Sequence, residues 1–312
     1  MWLDPLPVCL VTDDLSPKKG LRMREALSCV VVMTTVVIPG GVAWADHVMQ
    51  RQQTLTGDFH THKNFHSKHL AKDRDVIVYL PPGYTASKRR YPVLYLHDGQ
   101  NLFDGATSYI PGMEWRVDET AQELIRSKAI EPLIIVGIYN SGEQRADEYT
   151  PTRDAKHKVG GKADLYGRML VEELKPFIDS HYRTLKGAKN TGLGGSSLGG
   201  LVTLHLGLKY PAVFGKLAVI SPSVWWDNKV IVREVERLKR KPGLRIWLDM
   251  GTKEGKDGVK DAEALRDALL EKGWRLDRDL SFLAAEGAEH NERAWADRVG
   301  LILKFLFPKG KG

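Results

Sequence analysis

Runs of consecutive apolar residues alternate along the chain with segments of helical spacing. The apolar runs lie at residues 75–80, 92–96, 133–138, 216–220, 244–251 and 280–285. A strand that is apolar at successive positions is covered on both faces, so these runs predict a parallel or mixed sheet with helices on each side. The helical segments are residues 115–127, 164–182, 201–208, 230–239, 259–272 and 291–307. We therefore predict a single doubly wound α/β domain with a mostly parallel sheet.

Two neighbouring segments in the middle of the chain predict a long loop followed by a helix. Residues 164–182 predict one amphipathic helix that buries Leu165, Leu170, Leu174, Phe177 and Ile178. Before it, residues 140–162 form a long, charge-rich loop, and loops of this length inside a domain are commonly functional or disordered. Arg145 in this loop is a candidate substrate-binding residue.

The segment 55–70 is rich in histidine and alternates partly between apolar and polar residues. This alternation predicts an edge strand or a hairpin arm. Its histidines are His60, His62, His66 and His69. Residues i and i+2 of a strand share one face, which raises the hypothesis of a metal site. Carboxylates placed to complete a ligand set are not evident, so we expect no metal here.

Ser197 lies in a G-x-S-x-G pattern between Gly195 and Gly199. A serine on a sharp strand-to-helix turn needs neighbours without side chains, and this arrangement exposes its hydroxyl as a nucleophile. The residues after it, 201–208, have helical spacing and stop before Pro211. This context favours a nucleophile over the alternative, a glycine-rich turn with an incidental serine.

A serine nucleophile needs a base, and the base needs an orienting carboxylate. His290 follows the last predicted strand, and Glu254 follows the strand before it. The order serine, acid, histidine is the order of α/β-hydrolases. Asp249 lies inside its strand and is predicted to point into the layers beside the sheet, whereas Asp257, further along the loop, stays open as the acid.

The attacked carbonyl also needs backbone N–H donors for its developing charge. We predict the N–H groups of Leu198, directly after the nucleophile, and of Gln100, in the loop after residues 92–96. Trp225 and Trp226 follow another predicted strand. They either fill the core or stack on an aromatic or sugar ring of the substrate, and both interpretations stay open.

Composition excludes several classes of function. The chain has 312 residues, 42% of them hydrophobic, and a formal charge of +7 whose positive and negative residues are interspersed. Without a basic stripe or a nucleic-acid motif, a nucleic-acid partner is not expected. The two cysteines, Cys9 and Cys29, lie near the N-terminus, before the predicted domain. A disulfide framework, a cysteine nucleophile and a thiolate metal site in that domain are therefore excluded.

The first 45 residues predict a signal peptide. Basic residues 22 and 24 precede the apolar run 30–37, which is followed by Pro39 and an A-x-A site ending at Ala45. The run is too short to favour a stable membrane span. We expect cleavage after Ala45, a catalytic domain at residues 46–312 and a secreted or periplasmic protein. Acidic residues before the basic pair are unusual for such a peptide, which suggests that translation starts at Met23.

Several motifs together resemble a known family, and they run from about residue 73 to the C-terminus. They are residues 78–84, 95–104, 148–151, 195–200, 221–226 and 289–290. The chain resembles the esterase family that includes esterase D, enterochelin-type siderophore esterases, feruloyl and acetyl esterases, and secreted mycolyltransferases. The resemblance implies an α/β-hydrolase fold, Ser197 as nucleophile and His290 as base. Glu254 falls where several relatives carry aspartate and the mycolyltransferases carry glutamate.

We therefore predict an exported serine carboxylic-ester hydrolase that works through an acyl-enzyme without metal or cofactor. The ester itself stays open: a catecholate siderophore, a feruloylated or acetylated polysaccharide, or a simple acyl ester. An acyltransferase acting on a sugar or peptide acceptor is the alternative. A binding protein on an inactive hydrolase fold is a third possibility, against which the intact serine, histidine and acid argue. The oligomeric state is not predicted.

Overall fold

The computed structural model describes residues 53–310, and their strands form one eight-stranded sheet. The strands are β1 (Asp58–Phe65), β2 (Arg74–Leu80), β3 (Val93–His97), β4 (Ile134–Ile138), β5 (Thr191–Ser196), β6 (Lys216–Ile220), β7 (Arg245–Gly251) and β8 (Leu280–Ala285). Their order is β1-β2-β4-β3-β5-β6-β7-β8. β3 to β8 are parallel, whereas β1 and β2 pair antiparallel at one edge. This confirms the predicted fold class. The predicted signal peptide, its cleavage and the start at Met23 lie outside the described residues.

Helices cover both faces of the sheet. They are α1 (Val117–Arg126), α2 (Arg145–Glu148), α3 (Ala163–Arg168), α4 (Lys175–His181), α5 (Leu198–Lys209), α6 (Trp226–Glu236), α7 (Gly258–Glu271) and α8 (Glu292–Leu306). Short 3₁₀ turns occur at Gly99–Asn101, Gly142–Gln144 and Ala188–Asn190. α1 and α8 contribute to one hydrophobic core, and α3 to α7 contribute to the other. Within the described part of the chain, no helix is long and apolar enough to cross a membrane.

The strand residues alternate between these two cores. In β2, Val76 and Val78 belong to one core, and Ile77 and Tyr79 belong to the other. All four side chains are buried. Both faces of each central strand are therefore shielded from water. This is why the sequence shows continuous apolar runs rather than alternation of apolar and polar residues.

The segment 164–182, predicted to be one continuous α-helix, is interrupted in the structure. The structure places a π-helical turn, Met169–Leu174, between α3 and α4. A π turn holds more residues than an α turn and rotates the residues before it relative to those after it. Leu170, Leu174 and Ile178 are buried as predicted, but Leu165 is exposed. The prediction that Leu165 faces the core is therefore wrong, and Tyr166 lies in the core instead.

Candidate active site

Ser197 occupies the turn between β5 and α5. Its backbone angles are φ 59° and ψ −122°, a left-handed conformation that few non-glycine residues adopt. Its N–H donates to the carbonyl oxygen of Ile220 at 3.1 Å. A Cβ at Gly195 would lie 2.9 Å from the His97 ring, and a Cβ at Gly200 would lie 2.8 Å from the Ile220 carbonyl oxygen. Glycine at both positions therefore permits the close approach of strand, helix and serine.

His290 and Glu254 meet at the ends of β8 and β7. Nδ1 of His290 lies 2.7 Å from Oε2 of Glu254, whose side chain is buried, while His290 is about one-third exposed at 32%. Because Nδ1 is held by the carboxylate, Nε2 is available to take up a proton. Asp257 is the N-cap residue of α7, and its backbone carbonyl accepts from the N–H of Asp261. Of the two acids that the sequence left open, Glu254 is the one that contacts His290.

The Ser197 hydroxyl points toward a second serine. Ser197 Oγ lies 3.3 Å from Ser223 Oγ, and the Ser223 N–H donates to the Ser197 carbonyl oxygen at 3.0 Å. Within residues 53–310, no hydrogen bond joins Ser197 to His290. Catalytic hydrogen bonds are often long or unformed before substrate binds, so its absence here does not exclude this pair as nucleophile and base.

The predicted oxyanion donors lie at the starts of two helical turns. Leu198 begins α5, and Gln100 lies in the turn Gly99–Asn101. The first N–H groups of a helix have no partner inside it, and neither of these two has an acceptor among the described residues. Gly99 brings this loop against β4, because a Cβ there would lie 2.6 Å from the Gly137 backbone.

Asp98, directly before this turn, is buried and forms an ion pair with the partly exposed Arg145. Arg145 donates from Nε and Nη2 to the two carboxylate oxygens of Asp98, each at 2.7 Å, and Asn140 Nδ2 donates to the same carboxylate at 2.7 Å. Burial alone would raise the pKa of Asp98, but the charge and hydrogen bonds of Arg145 bring it below its usual value. Arg145 thus anchors the Gln100 loop through Asp98, an ion pair that the sequence does not predict. Direct contact of Arg145 with substrate stays a prediction.

His97 ends β3 beneath the serine turn. It is fully buried, and its Nδ1 lies 2.9 Å from the Tyr166 hydroxyl. Burial lowers the pKa of His97 to about 3, so the ring is neutral at physiological pH. The ring packs against Gly195 and orders the turn, as a structural residue rather than as a second base.

The two tryptophans have different environments. Trp226 is buried, and its ring N–H donates to the Thr152 carbonyl oxygen at 3.1 Å. Of the two interpretations that the sequence left open, burial favours a core role for Trp226 over contact with substrate. Trp225 is 50% exposed. The His157 ring stacks on Trp226, with centroids 5.8 Å apart, and meets Trp225 edge-on at 5.6 Å.

The segment after the Gln100 loop lies close to the loop that carries His290. Tyr109 in this segment is 83% exposed, and its N–H donates to Asn101 Oδ1 at 2.9 Å. Asn101 Nδ2 donates to Glu292 Oε1 at 3.3 Å, which ties the Gln100 loop to the residues after His290. A cavity of about 460 Å³ opens between Met113 and the loop that carries His290.

The histidines of the segment 55–70 make other contacts. His62 Nε2 lies 2.7 Å from the Tyr182 hydroxyl, and His60 Nδ1 lies 3.3 Å from the same oxygen. His66 and His69 pair with acidic side chains. No group of three or more histidine, cysteine, aspartate or glutamate side chains in the described residues could hold a metal ion.

Three residues contact the candidate catalytic side chains without having been predicted from the sequence to do so: Ser221, Ser223 and Arg298. Ser221 and Ser223 follow the end of β6, the strand next to β5, so their place at the same sheet edge could have identified them. Arg298 lies in the second turn of α8, eight residues after His290, and no sequence pattern points to it.

Comparison with known proteins bears on the family and the fold. The sequence profile of a family described as "Putative esterase" matches residues 67–298. The uncharacterized protein YbbA of Bacillus subtilis is 28% identical over 258 residues, which cover 78% of this chain and 97% of YbbA. An endo-1,4-beta-xylanase/feruloyl esterase of Xylanibacter ruminicola is 28% identical over 250 residues, 78% of this chain but 30% of that protein. The crystal structure of the BES protein from Bacillus cereus superimposes with a TM-score of 0.64 at 26% identity, covering 82% of this chain and 97% of that one.

Proposed function

Because the chain belongs to the putative esterase family of carboxylic ester hydrolases, we propose that it cleaves its ester through an acyl-enzyme on Ser197. The observation that carries this proposal is the 2.7 Å hydrogen bond between His290 Nδ1 and Glu254 Oε2. It orients an imidazole at the same sheet edge as the serine turn. That arrangement supports the roles of nucleophile, base and orienting acid for the three residues.

In the first step, Ser197 Oγ turns from Ser223 toward His290 and attacks the ester carbonyl carbon. His290 Nε2 takes the hydroxyl proton, and Glu254 stabilises the imidazolium through Nδ1–H. The carbonyl oxygen becomes negatively charged and accepts hydrogen bonds from the N–H groups of Leu198 and Gln100. Both donors belong to the backbone, so they are in place before the reaction.

The tetrahedral intermediate then collapses. The bond to the alcohol oxygen breaks, and His290 gives that oxygen its proton, so that the alcohol leaves and the acyl group stays on Ser197. A water molecule, deprotonated by His290, attacks the acyl-enzyme by the same route. The carboxylic acid leaves, and Ser197 recovers its proton.

Three variants test these roles on a short-chain nitrophenyl ester. Ser197→Ala removes the nucleophile, and Glu254→Gln removes the orienting charge, so we expect kcat to fall by roughly 10³-fold or more and by about 10²- to 10⁴-fold, respectively. Asp257→Asn is the matched control and should keep its activity. The hydrogen bond of Asp257 to α7 is made by its backbone carbonyl, and the substitution changes only the carboxylate. Full activity in Ser197→Ala, or loss in Asp257→Asn with activity kept in Glu254→Gln, would overturn the assignment.

We propose that the substrate carries an aromatic ring in its acyl part. The half-exposed Trp225 and the edge-on His157 present an aromatic surface two residues from Ser223, which contacts the nucleophile. A relative named as a feruloyl esterase supports the same chemistry. A panel of feruloyl, dihydroxybenzoyl, acetyl and butyryl esters of one alcohol tests it. Higher kcat/KM for the two aromatic acyl groups supports the proposal, and preference for acetyl contradicts it.

We further propose that the protein is exported after cleavage at Ala45. The basic residues, the apolar run and the A-x-A site support this. Expression in the native host, followed by N-terminal sequencing of the protein in the periplasm and medium, tests it. A mature chain beginning at Asp46 is expected, whereas an uncleaved chain inside the cell would contradict export.

A further inference from the structure

The Glu254 carboxylate has a second set of contacts on the side away from His290. Oε1 accepts from the Gly251 N–H at 2.9 Å and from the Ser221 hydroxyl at 2.6 Å, and it lies 3.5 Å from Arg298 Nη2. The side chain of Glu254 is 1% exposed, so water cannot replace these contacts. The position of Oε2 against His290 therefore depends on what holds Oε1.

The Ser221 hydroxyl has a single possible orientation in this network. It lies 2.9 Å from Arg298 Nη2 and 3.0 Å from Trp295 Nε1, in addition to Glu254. Arginine and tryptophan nitrogens only donate, so the serine oxygen accepts from both and its own proton goes to Glu254. Ser221 has φ 40°, a strained conformation that sets its hydroxyl between α8 and the loop after β7.

A second buried carboxylate shares the same guanidinium. Asp249 Oδ1 lies 3.3 Å from Arg298 Nη2, and Asp249 Oδ2 accepts from Trp247 Nε1 at 2.6 Å. Burial raises the pKa of Asp249, Arg298 opposes this rise, and the charge of Glu254 adds to it. One cation thus serves two buried carboxylates.

Arg298 uses few of its hydrogen-bonding groups here. It is buried, and its Nε and Nη1 have no partner among the residues described. Burying a guanidinium so incompletely paired costs free energy. Its one well-used nitrogen, Nη2, faces Ser221, Asp249 and Glu254 together. The contribution of Arg298 is therefore the positive charge between the carboxylates.

We propose that Arg298 and Ser221 are positioning residues, which hold the Glu254 carboxylate aimed at His290. This inference rests on the proposed catalytic roles of Glu254 and His290. The charged groups that face Glu254 are His290, Arg298 and Asp249, and Glu292 is a further carboxyl near His290. Among these, Arg298 is the permanent cation.

Removing the cation leaves Glu254 and Asp249 as two buried carboxylates without their shared positive charge. Oε1 of Glu254 then loses one of its contacts, and Oε2 is no longer held in place against His290. This misplacement should lower kcat by about 10- to 100-fold and leave KM nearly unchanged.

The experiment compares Arg298→Met with Arg298→Lys in the full chain, using the nitrophenyl ester at one fixed pH. Arg298→Met should lower kcat with little change in KM, and Arg298→Lys, which keeps the charge, should restore part of kcat. Arg245→Met is the control, because Arg245 donates to backbone carbonyls at the opposite end of β7 and its loss should leave kcat unchanged. Thermal unfolding of each variant reports stability separately.

Ser221 is tested by two substitutions that differ in backbone strain. Ser221→Ala keeps a side chain at φ 40°, whereas Ser221→Gly relieves the strain, and both remove the hydroxyl. Similar loss of kcat in both variants supports the proposal, and wild-type kcat in Ser221→Gly overturns the role of the hydroxyl. Wild-type kcat in Arg298→Met, or equal losses of kcat in Arg298→Met and Arg298→Lys, overturns the role of the cation. If Glu254→Gln itself keeps full activity, the proposed catalytic role of Glu254 fails instead.

Discussion

Ser197 and Ser223 face each other across the serine turn, with their hydroxyl oxygens 3.3 Å apart. The distance is long for a hydrogen bond between hydroxyl groups, so the contact is weak. It nevertheless competes with the rotation that brings Ser197 toward His290. Ser223→Ala should therefore raise the rate of labelling by a fluorophosphonate by up to about fivefold, the equivalent of one ordinary hydrogen bond. A fall of more than tenfold would mean that Ser223 assists the reaction.

The ion pair of Arg145 with Asp98 holds the loop that contains Gln100. Arg145→Met leaves the Asp98 carboxylate buried without its cation, and the loop can then relax. We expect kcat to fall by about 10- to 100-fold and the free energy of unfolding to fall by about 2 kcal/mol, a value reduced for the partial exposure of Arg145. Arg145→Lys keeps the charge and should recover part of both. Unchanged kcat in Arg145→Met would separate this ion pair from catalysis.

The sheet was predictable because its central strands are buried on both faces. Such burial leaves continuous apolar runs, and the bounds of β6 and β8 match the runs 216–220 and 280–285. The strand that precedes Ser197 is different, because three of the six residues of Thr191–Ser196 are glycines that give space to neighbouring strands and helices. No apolar pattern marks this strand, and the G-x-S-x-G motif identifies its end.

The catalytic candidates could be predicted from the sequence because their order along the chain and their positions after strands can be read there. His290 and Glu254 follow neighbouring strands, and parallel strands bring their carboxyl ends to one edge. The buried contacts around Glu254 could not be predicted, because they depend on the side-chain packing of α8 against β7. The two tryptophans illustrate the same limit. Adjacent residues of one type have different exposure, and only the fold decides which one is buried.

The buried histidine below the serine turn makes stability depend on pH. The pKa of His97 is about 3 in the folded protein and about 6.5 in the unfolded chain, so the unfolded state binds the proton first. The stability from neutral His97 is fully present above about pH 6.5 and is lost as the pH falls toward 3, by up to about 1.4 kcal/mol per pH unit. Urea unfolding of wild type and His97→Gln at several pH values tests this. The slope between pH 6 and 4 should be smaller in the variant, and equal slopes would contradict the prediction.

The close packing of β5 predicts a penalty for any added methyl group. A Cβ at Gly194 would lie 2.7 Å from the Ala218 Cβ and 2.9 Å from Leu96 Cδ2. Gly194→Ala should therefore lower the free energy of unfolding by about 1–3 kcal/mol. Gly243→Ala is the matched control, since nothing lies within 4 Å of its added Cβ. Thermal unfolding compares the two, and equal melting temperatures would refute the packing argument.

Variants of Trp225 and Trp226 can distinguish an effect on substrate binding from an effect on core packing. Trp226 is buried and donates to the Thr152 carbonyl, so Trp226→Ala should lower the free energy of unfolding by about 3–5 kcal/mol. Trp225 is half exposed, and Trp225→Ala should cost less than about 1 kcal/mol, because a half-exposed ring buries less apolar surface on folding. If the ring of Trp225 stacks on an aromatic acyl group, Trp225→Ala should raise KM for a feruloyl ester by about tenfold and leave KM for an acetyl ester unchanged. Equal changes of KM for both esters would show that Trp225 acts on the shape of the cleft, and no change for either would remove it from substrate binding.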